Sequence, residues 1–149
     1  MILIAYDDSD DARRAVAVAG QLFEGRALVL HVLSLPGPAE IPLAPTTGAE
    51  ALAVTVPEAE EHARRIAQEG ADLARHAGFE AETLVERGDG LPELAETIAR
   101  VAREREARAV IVGRRGMSKL RSVVLGSVSS AVVERATCPV VVVPESAEP

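Results

Sequence analysis

Five short strand-like runs alternating with four stretches of helical periodicity constrain this chain more than any other feature. The runs are Ile2 to Tyr6, Ala27 to Val32, Glu80 to Glu86, Arg108 to Val112 and Val140 to Val143. Between them, apolar residues recur every three to four positions: Ala12, Ala15, Val16, Ala19 and Leu22; Ala63, Ile66, Ala67, Gly70, Leu73, Ala74 and Ala77; Leu91, Leu94, Ala95, Ile98, Val101 and Ala102. Val128 to Ala136 completes the set as a short helix. The order βαβαβαβαβ, with strands apolar on both faces, predicts one parallel sheet covered by helices on both sides. Local chemistry agrees. The acids Asp7, Asp8, Asp10 and Asp11 surround Ser9 where the first helix starts, Pro92 opens the third, and Gly78 follows the second.

At 149 residues with 48% apolar content, the chain fills one core, so residues 1–149 are expected to form a single domain. Residues 34–57 hold Pro36, Pro38, Pro42, Pro45, Gly48 and Pro57 and are expected to form a long flexible loop within it. Apolar stretches are too short to span a bilayer and Met1 leads straight into Ile2 without a basic leader, which predicts a soluble cytoplasmic protein. The single cysteine, Cys138, excludes a disulfide scaffold and fits a reducing compartment. A net charge of -7 and only 2% aromatic residues argue against nucleic acid and anionic lipid as partners.

In an open parallel sheet, ligands bind beyond the carboxyl ends of the strands, where the strand order reverses. One loop at such an end stands out. Gly113, Gly116 and Gly126 are spaced as G-x2-G-x9-G and followed by Ser127, between the fourth strand and the fourth helix. Chance alone produces that spacing with a following Ser or Thr in about 0.6% of chains of this glycine content. Glycines there let backbone amides approach an anion, and a helix N-terminus attracts phosphate. Residues 109 to 133 contain no acid but include Arg114, Arg115, Lys119 and Arg121. In so acidic a chain this is a local anion site.

Rival motifs fail at particular positions. Gly88-Asp89-Gly90 opens like a dinucleotide fingerprint, but Glu93 replaces its third glycine. No Gly-Lys-Ser/Thr occurs, and a phosphorylation receiver would need Asp and Lys where Glu86 and Pro144 stand. His62 and His76, roughly 21 Å apart along one helix, cannot share a metal, and His31 on its strand reads as a core residue. Ser127 lacks the nucleophile elbow and a histidine partner.

The glycine motif, the opening Ile2-Leu-Ile-Ala-Tyr-Asp7-Asp-Ser9, the His31-Val32 pair and the closing Cys138-Pro-Val-Val-Val-Val143 together resemble the universal stress protein family along the whole chain. The resemblance implies an open, Rossmann-like α/β sheet of strand order 3-2-1-4-5, homodimers, and binding of ATP, or of ADP or AMP, in the branch that carries the glycine motif. By position it implies Asp7 near the ribose and adenine, and Val32 bonding adenine through its backbone. Val112 and Gly113 would line the ribose and first phosphate, Arg115 and Gly116 the phosphate turn, and Gly126, Ser127, Val128 and Ser129 the outer phosphates. Two positions depart from the family pattern. Asp8 stands where glycine is usual, and Arg115 where histidine is more common. Magnesium bridging Asp8 and the phosphates suits its preference for hard oxygen ligands. The reading is of a stress-response module that binds nucleotide and protein partners rather than turning nucleotide over. The alternatives are a slow ATPase or phosphotransferase using the same loop, and a ligand-free interaction partner. Val140 to Val143, as an apolar edge strand, is expected to pair with a second copy.

Overall fold

The computed structural model describes residues 1–35, 55–114 and 126–144. Along these the elements are β1 (Ile2–Ala5), α1 (Asp10–Leu22), β2 (Gly25–Leu33), α2 (Val56–His76), β3 (Phe79–Arg87), α3 (Leu91–Glu104), β4 (Val110–Gly113), α4 (Ser127–Arg135) and β5 (Val140–Val143). The strands form one parallel sheet in the order β3-β2-β1-β4-β5. The chain steps from β1 outward to β3, then returns to the other side of β1 for β4 and β5. Right-handed crossovers therefore place α1 and α2 on one face and α3 and α4 on the other. The two cores follow that division. Ile2, Ile4 and Tyr6 pack with Ala12, Val16, Ile66 and Ala74, whereas Leu3, Leu28 and Leu30 pack with Ile98, Val101 and Val132.

Why β1 sits at the centre is legible in its burial. Ile2, Leu3 and Ile4 are each 0% exposed, so both faces of the strand must be covered. The β1–α1 turn ends in a side-chain cap: the Ser9 hydroxyl accepts from the Ala12 amide at 3.1 Å, and Asp10 and Asp11 in the first turn complement the helix dipole. Helix α2 starts earlier than its apolar period suggests. Thr55 and Glu58 form a capping box, with the Thr55 amide donating to Glu58 Oε2 at 2.9 Å, and Pro57 lies in the first turn. Residues 56 and 57 thus belong to the helix, which corrects the end of the expected loop; residues 36–54 of that loop lie outside the described residues. Among the described residues no helix is long and apolar enough to cross a membrane.

Candidate functional site

The switch in strand order lies between β1 and β4, so the crevice beyond their carboxyl ends is the place to build a site. Past β1, the Tyr6 amide adds one more bond to β2, at the Leu30 carbonyl (2.9 Å). Asp7 then turns the chain. Its Oδ1 accepts from the Ser9 amide at 3.1 Å and from the Ser9 hydroxyl at 2.5 Å, which ties the carboxylate to the cap of α1. Asp8 has φ +63°, in the left-handed region that suits glycine. The departure from the family pattern therefore sits in a conformation that glycine adopts without a side-chain penalty. The Asp8 carboxylate is paired with the Arg13 guanidinium, which also holds Glu69 at 2.8 Å. One of the two Asp8 carboxylate oxygens, Oδ1, is thus taken by the guanidinium. Glu69 also accepts from the Tyr6 hydroxyl at 3.1 Å. Burial, more than the Glu69 charge, pushes the Tyr6 phenol up to about 12.

Strand β2 contributes His31 and Val32. The Tyr6 carbonyl accepts from His31 Nδ1 at 2.9 Å. Burial lowers the imidazole below its ordinary pKa, partly countered by that bond and by the Asp7 and Asp8 charges, so the ring is neutral at pH 7. In a parallel strand, the N–H and C=O of one residue share a side, and successive residues alternate. Because Leu30 faces β1 and the Leu33 carbonyl accepts from Gly88 on the β3 side, both polar groups of Val32 face β1, beyond its end.

Across the crevice, β4 ends at Gly113 and α4 begins beside it. The Arg114 carbonyl accepts from the Gly126 amide at 3.1 Å and from the Ser129 hydroxyl at 2.9 Å. Gly126 and Ser129 are therefore both clamped to one oxygen, that of Arg114. A Cβ on Gly126 would lie 2.5 Å from that oxygen, and one on Gly113 would lie 2.8 Å from the Asp11 backbone. Both glycines are thus required by contacts within the protein, and not only by access for an anion. The result is a convergence of two helix starts, α1 through Asp11 and α4 through Gly126, on the end of β4. Their electrostatics differ. The first turn of α1 carries two acids, while α4 has no acid in its first turn and no side-chain cap. The amides of Ser127 and Val128 keep the positive end of a dipole uncompensated by either device.

The residues picked out by sequence divide accordingly. Asp7, Val32, Gly113, Gly126, Ser127 and Val128 lie at the strand and helix ends that face the crevice. Val112 is 4% exposed, with its side chain in the α3/α4 core, and alternation aims its backbone at β5. The amide on the crevice side of β4 is therefore that of Gly113. Ser129 is 3% exposed and bonds a carbonyl, so it braces the clamp. Arg115 and Gly116 lie outside the described residues. Reading the sequence missed the Arg114 carbonyl and the Tyr6–Glu69–Arg13 network. Every residue has a carbonyl, and a contact between positions 13 and 69 leaves no local signal. A shallow groove of about 410 Å³ runs between α1 and α2, lined by Arg13, Gly20, Gln21, Leu73 and His76.

The fold is that of a doubly wound α/β protein whose topological switch point lies between β1 and β4. The chain belongs to the universal stress protein family, whose sequence profile matches residues 1–144. Universal stress protein YxiE of Bacillus subtilis is 32% identical over 151 residues, covering 95% of this chain and 97% of the relative. A universal stress protein of Thermus aquaticus is 33% identical over 145 residues, covering 95% and 96%. Among solved structures, the Archaeoglobus fulgidus universal stress protein in complex with dAMP superposes with a TM-score of 0.64 at 25% identity, covering 95% of each chain. A universal stress protein in complex with cAMP gives 0.67 at 22%, covering 96% of this chain and 94% of the other. An Arabidopsis thaliana family protein with AMP bound gives 0.59 at 15%, covering 98% and 92%. The latter two likenesses speak for the fold.

Proposed function

We propose that this protein is a receptor for adenine nucleotides, with ATP as its fullest ligand, that acts in a stress response by binding nucleotide and protein partners rather than by rapid catalysis. One observation carries the reading: the Arg114 clamp sets the uncapped start of α4 against the end of β4, beside Asp7 at the switch point. Phosphate suits that position, since orphan amides and the helix dipole both favour an anion. Relatives of the same fold hold AMP, dAMP and cAMP. The cations Arg114, Arg115, Lys119 and Arg121, in a segment without acids, favour a ligand with more than one phosphate.

In this reading Asp7 meets the ribose, Val32 the base, Gly113 the first phosphate, and Gly126, Ser127 and Val128 the outer phosphates. Arg115 and Gly116 complete the phosphate turn. A backbone N–H beside a C=O, as at Val32, matches the acceptor N1 and the donor amino group of adenine and mismatches guanine, where the two roles are exchanged. Ser129 supports the site through Arg114, and no metal is assigned to Asp8.

The test is calorimetric titration with ATP and with adenosine. Arg115→Ala weakens ATP by about 1.5–3 kcal/mol, the scale of a hydrogen bond to a charged group, and leaves adenosine affinity unchanged. Equal losses for both ligands, or none for either, reject the loop as the phosphate site. Hydrolysis at about 1 per second or faster replaces the receptor by an enzyme.

A further inference from the structure

The β1–β2 ladder stops one rung short of where its geometry allows. Paired register ends at Ala5 and Leu30, and the Tyr6 amide then bonds the Leu30 carbonyl at 2.9 Å. In a parallel pair the next rung runs from the Val32 amide to the Tyr6 carbonyl. Among the described residues that carbonyl accepts instead from His31 Nδ1 at 2.9 Å. The bond is of ordinary length and comes from a half-buried ring on the α1/α2 side of the sheet, where Asp7, Asp8 and His62 are its charged and titratable neighbours. The other edge of β2 stays paired: its register with β3 runs through Val32–Glu86 to Leu33–Arg87, and the Gly88 amide closes it on the Leu33 carbonyl at 3.0 Å. The strand is therefore rigid on one side and stops short on the other at a single residue.

We propose that His31 is a positioning residue for the base site: by occupying the Tyr6 carbonyl, its ring terminates the β1–β2 ladder and keeps the Val32 amide available to adenine. The proposal rests on the nucleotide reading above for the identity of the ligand, but the ladder termination is a property of the protein alone. A backbone carbonyl at the end of a buried strand needs a donor. Without the imidazole, the Val32 amide is the donor nearest in register, and pairing it with Tyr6 withdraws it from a ligand. Any phosphate contacts lie across the crevice and are untouched. The effect of removing the ring thus falls on the base and is the same for a nucleotide and its nucleoside.

The variants are His31→Leu, which removes the donor, and His31→Asn, whose side-chain amide places an N–H near the position of Nδ1. Two readouts are taken on the full chain: hydrogen exchange of the Val32 amide by NMR without nucleotide, and calorimetric affinity for AMP and adenosine. In the unaltered protein the Val32 amide exchanges freely and becomes protected when adenosine is added. In His31→Leu it is protected without ligand, and AMP and adenosine both weaken by about tenfold, the loss of one hydrogen bond. His31→Asn restores free exchange and affinity. A protected Val32 amide in the unaltered, ligand-free protein overturns the inference, as does exchange in His31→Leu that matches the unaltered protein. If exchange responds to the variants as expected but neither ligand binds the unaltered protein, the nucleotide reading fails and His31 stands as a strand terminator only.

Discussion

Gly126→Ala separates two reasons for a glycine at the start of α4. If glycine serves only to admit a phosphate, the ligand-free protein tolerates alanine, because the backbone at this position, φ -57° and ψ 150°, is open to any residue. The structure states a second requirement. A Cβ would lie 2.5 Å from the Arg114 carbonyl oxygen, where contacts under 3.0 Å essentially never occur, so the two must part by roughly half an ångström. The Gly126–Arg114 bond is already 3.1 Å long and does not survive that movement, and the Ser129 bond to the same oxygen, 2.9 Å, is strained with it. Two hydrogen bonds at about 1 kcal/mol each, with some overpacking and a gain of about 0.4–1 kcal/mol from the stiffer unfolded chain, leave a net loss of about 1–3 kcal/mol. For a chain of this size that lowers the thermal midpoint by about 3–10 °C. Circular dichroism melts without nucleotide measure it, with Ser127→Ala, an exposed neighbour at the same helix start, as the control that stays within about 0.5 kcal/mol. An unchanged midpoint for Gly126→Ala would refute the claim that the Arg114 carbonyl is what demands glycine here.

Strand β5 lies at the edge of the sheet with Val140, Val141 and Val142 only partly buried, so it is expected to pair with the same strand of a second chain. Sedimentation at micromolar concentration should show a dimer and Val141→Lys a monomer or aggregate; a stable monomer of the unaltered chain rejects this. Tyr6 is the chain's single tyrosine, so tyrosinate absorbance titrates it alone. Its folded pKa of about 12 lies above the ordinary 10.0, so its contribution to stability is complete below pH 10 and is lost as pH rises through 12. Tyr6→Phe should lack that part of the alkaline destabilisation, and a folded-state midpoint near 10 contradicts the burial that causes it. At Asp8, whose φ is +63°, Asp8→Ala should be less stable than Asp8→Gly by about 1 kcal/mol, since both lose the Arg13 pair and only alanine carries the left-handed penalty. Equal melting of the two variants means that the turn relaxes.

Sequence alone determined the elements and the faces they bury. The alternation of Ile2, Leu3 and Ile4 with the spaced alanines of α1 and α2 is a local pattern, and local periodicity is what decides whether a segment is a strand or a helix and which side of it seeks the core. The start of α2 escapes this reading: proline content assigns residues 55 to 57 to the preceding loop, whereas the capping box of Thr55 and Glu58 shows the helix beginning at Val56. Strand order was not legible in that way. Nothing in Ile2 to Ala5 names its neighbours, and the order entered through likeness to a family before the pairing of β1 with both β2 and β4 placed the switch point between β1 and β4. The same division runs through the site. The spacing of Gly113 and Gly126 marked a loop, but only the folded chain brings Asp11 against one and the Arg114 carbonyl against the other. Asp8 could be seen to replace a glycine, yet its left-handed turn, and the second hold on its partner Arg13 by Glu69 of a distant helix, appear only in the folded chain. The contacts at Gly113 and Gly126 run through backbone atoms that every residue shares, and the Arg13–Glu69 pair joins side chains 56 residues apart. They carry no sequence pattern, and only packing selects them.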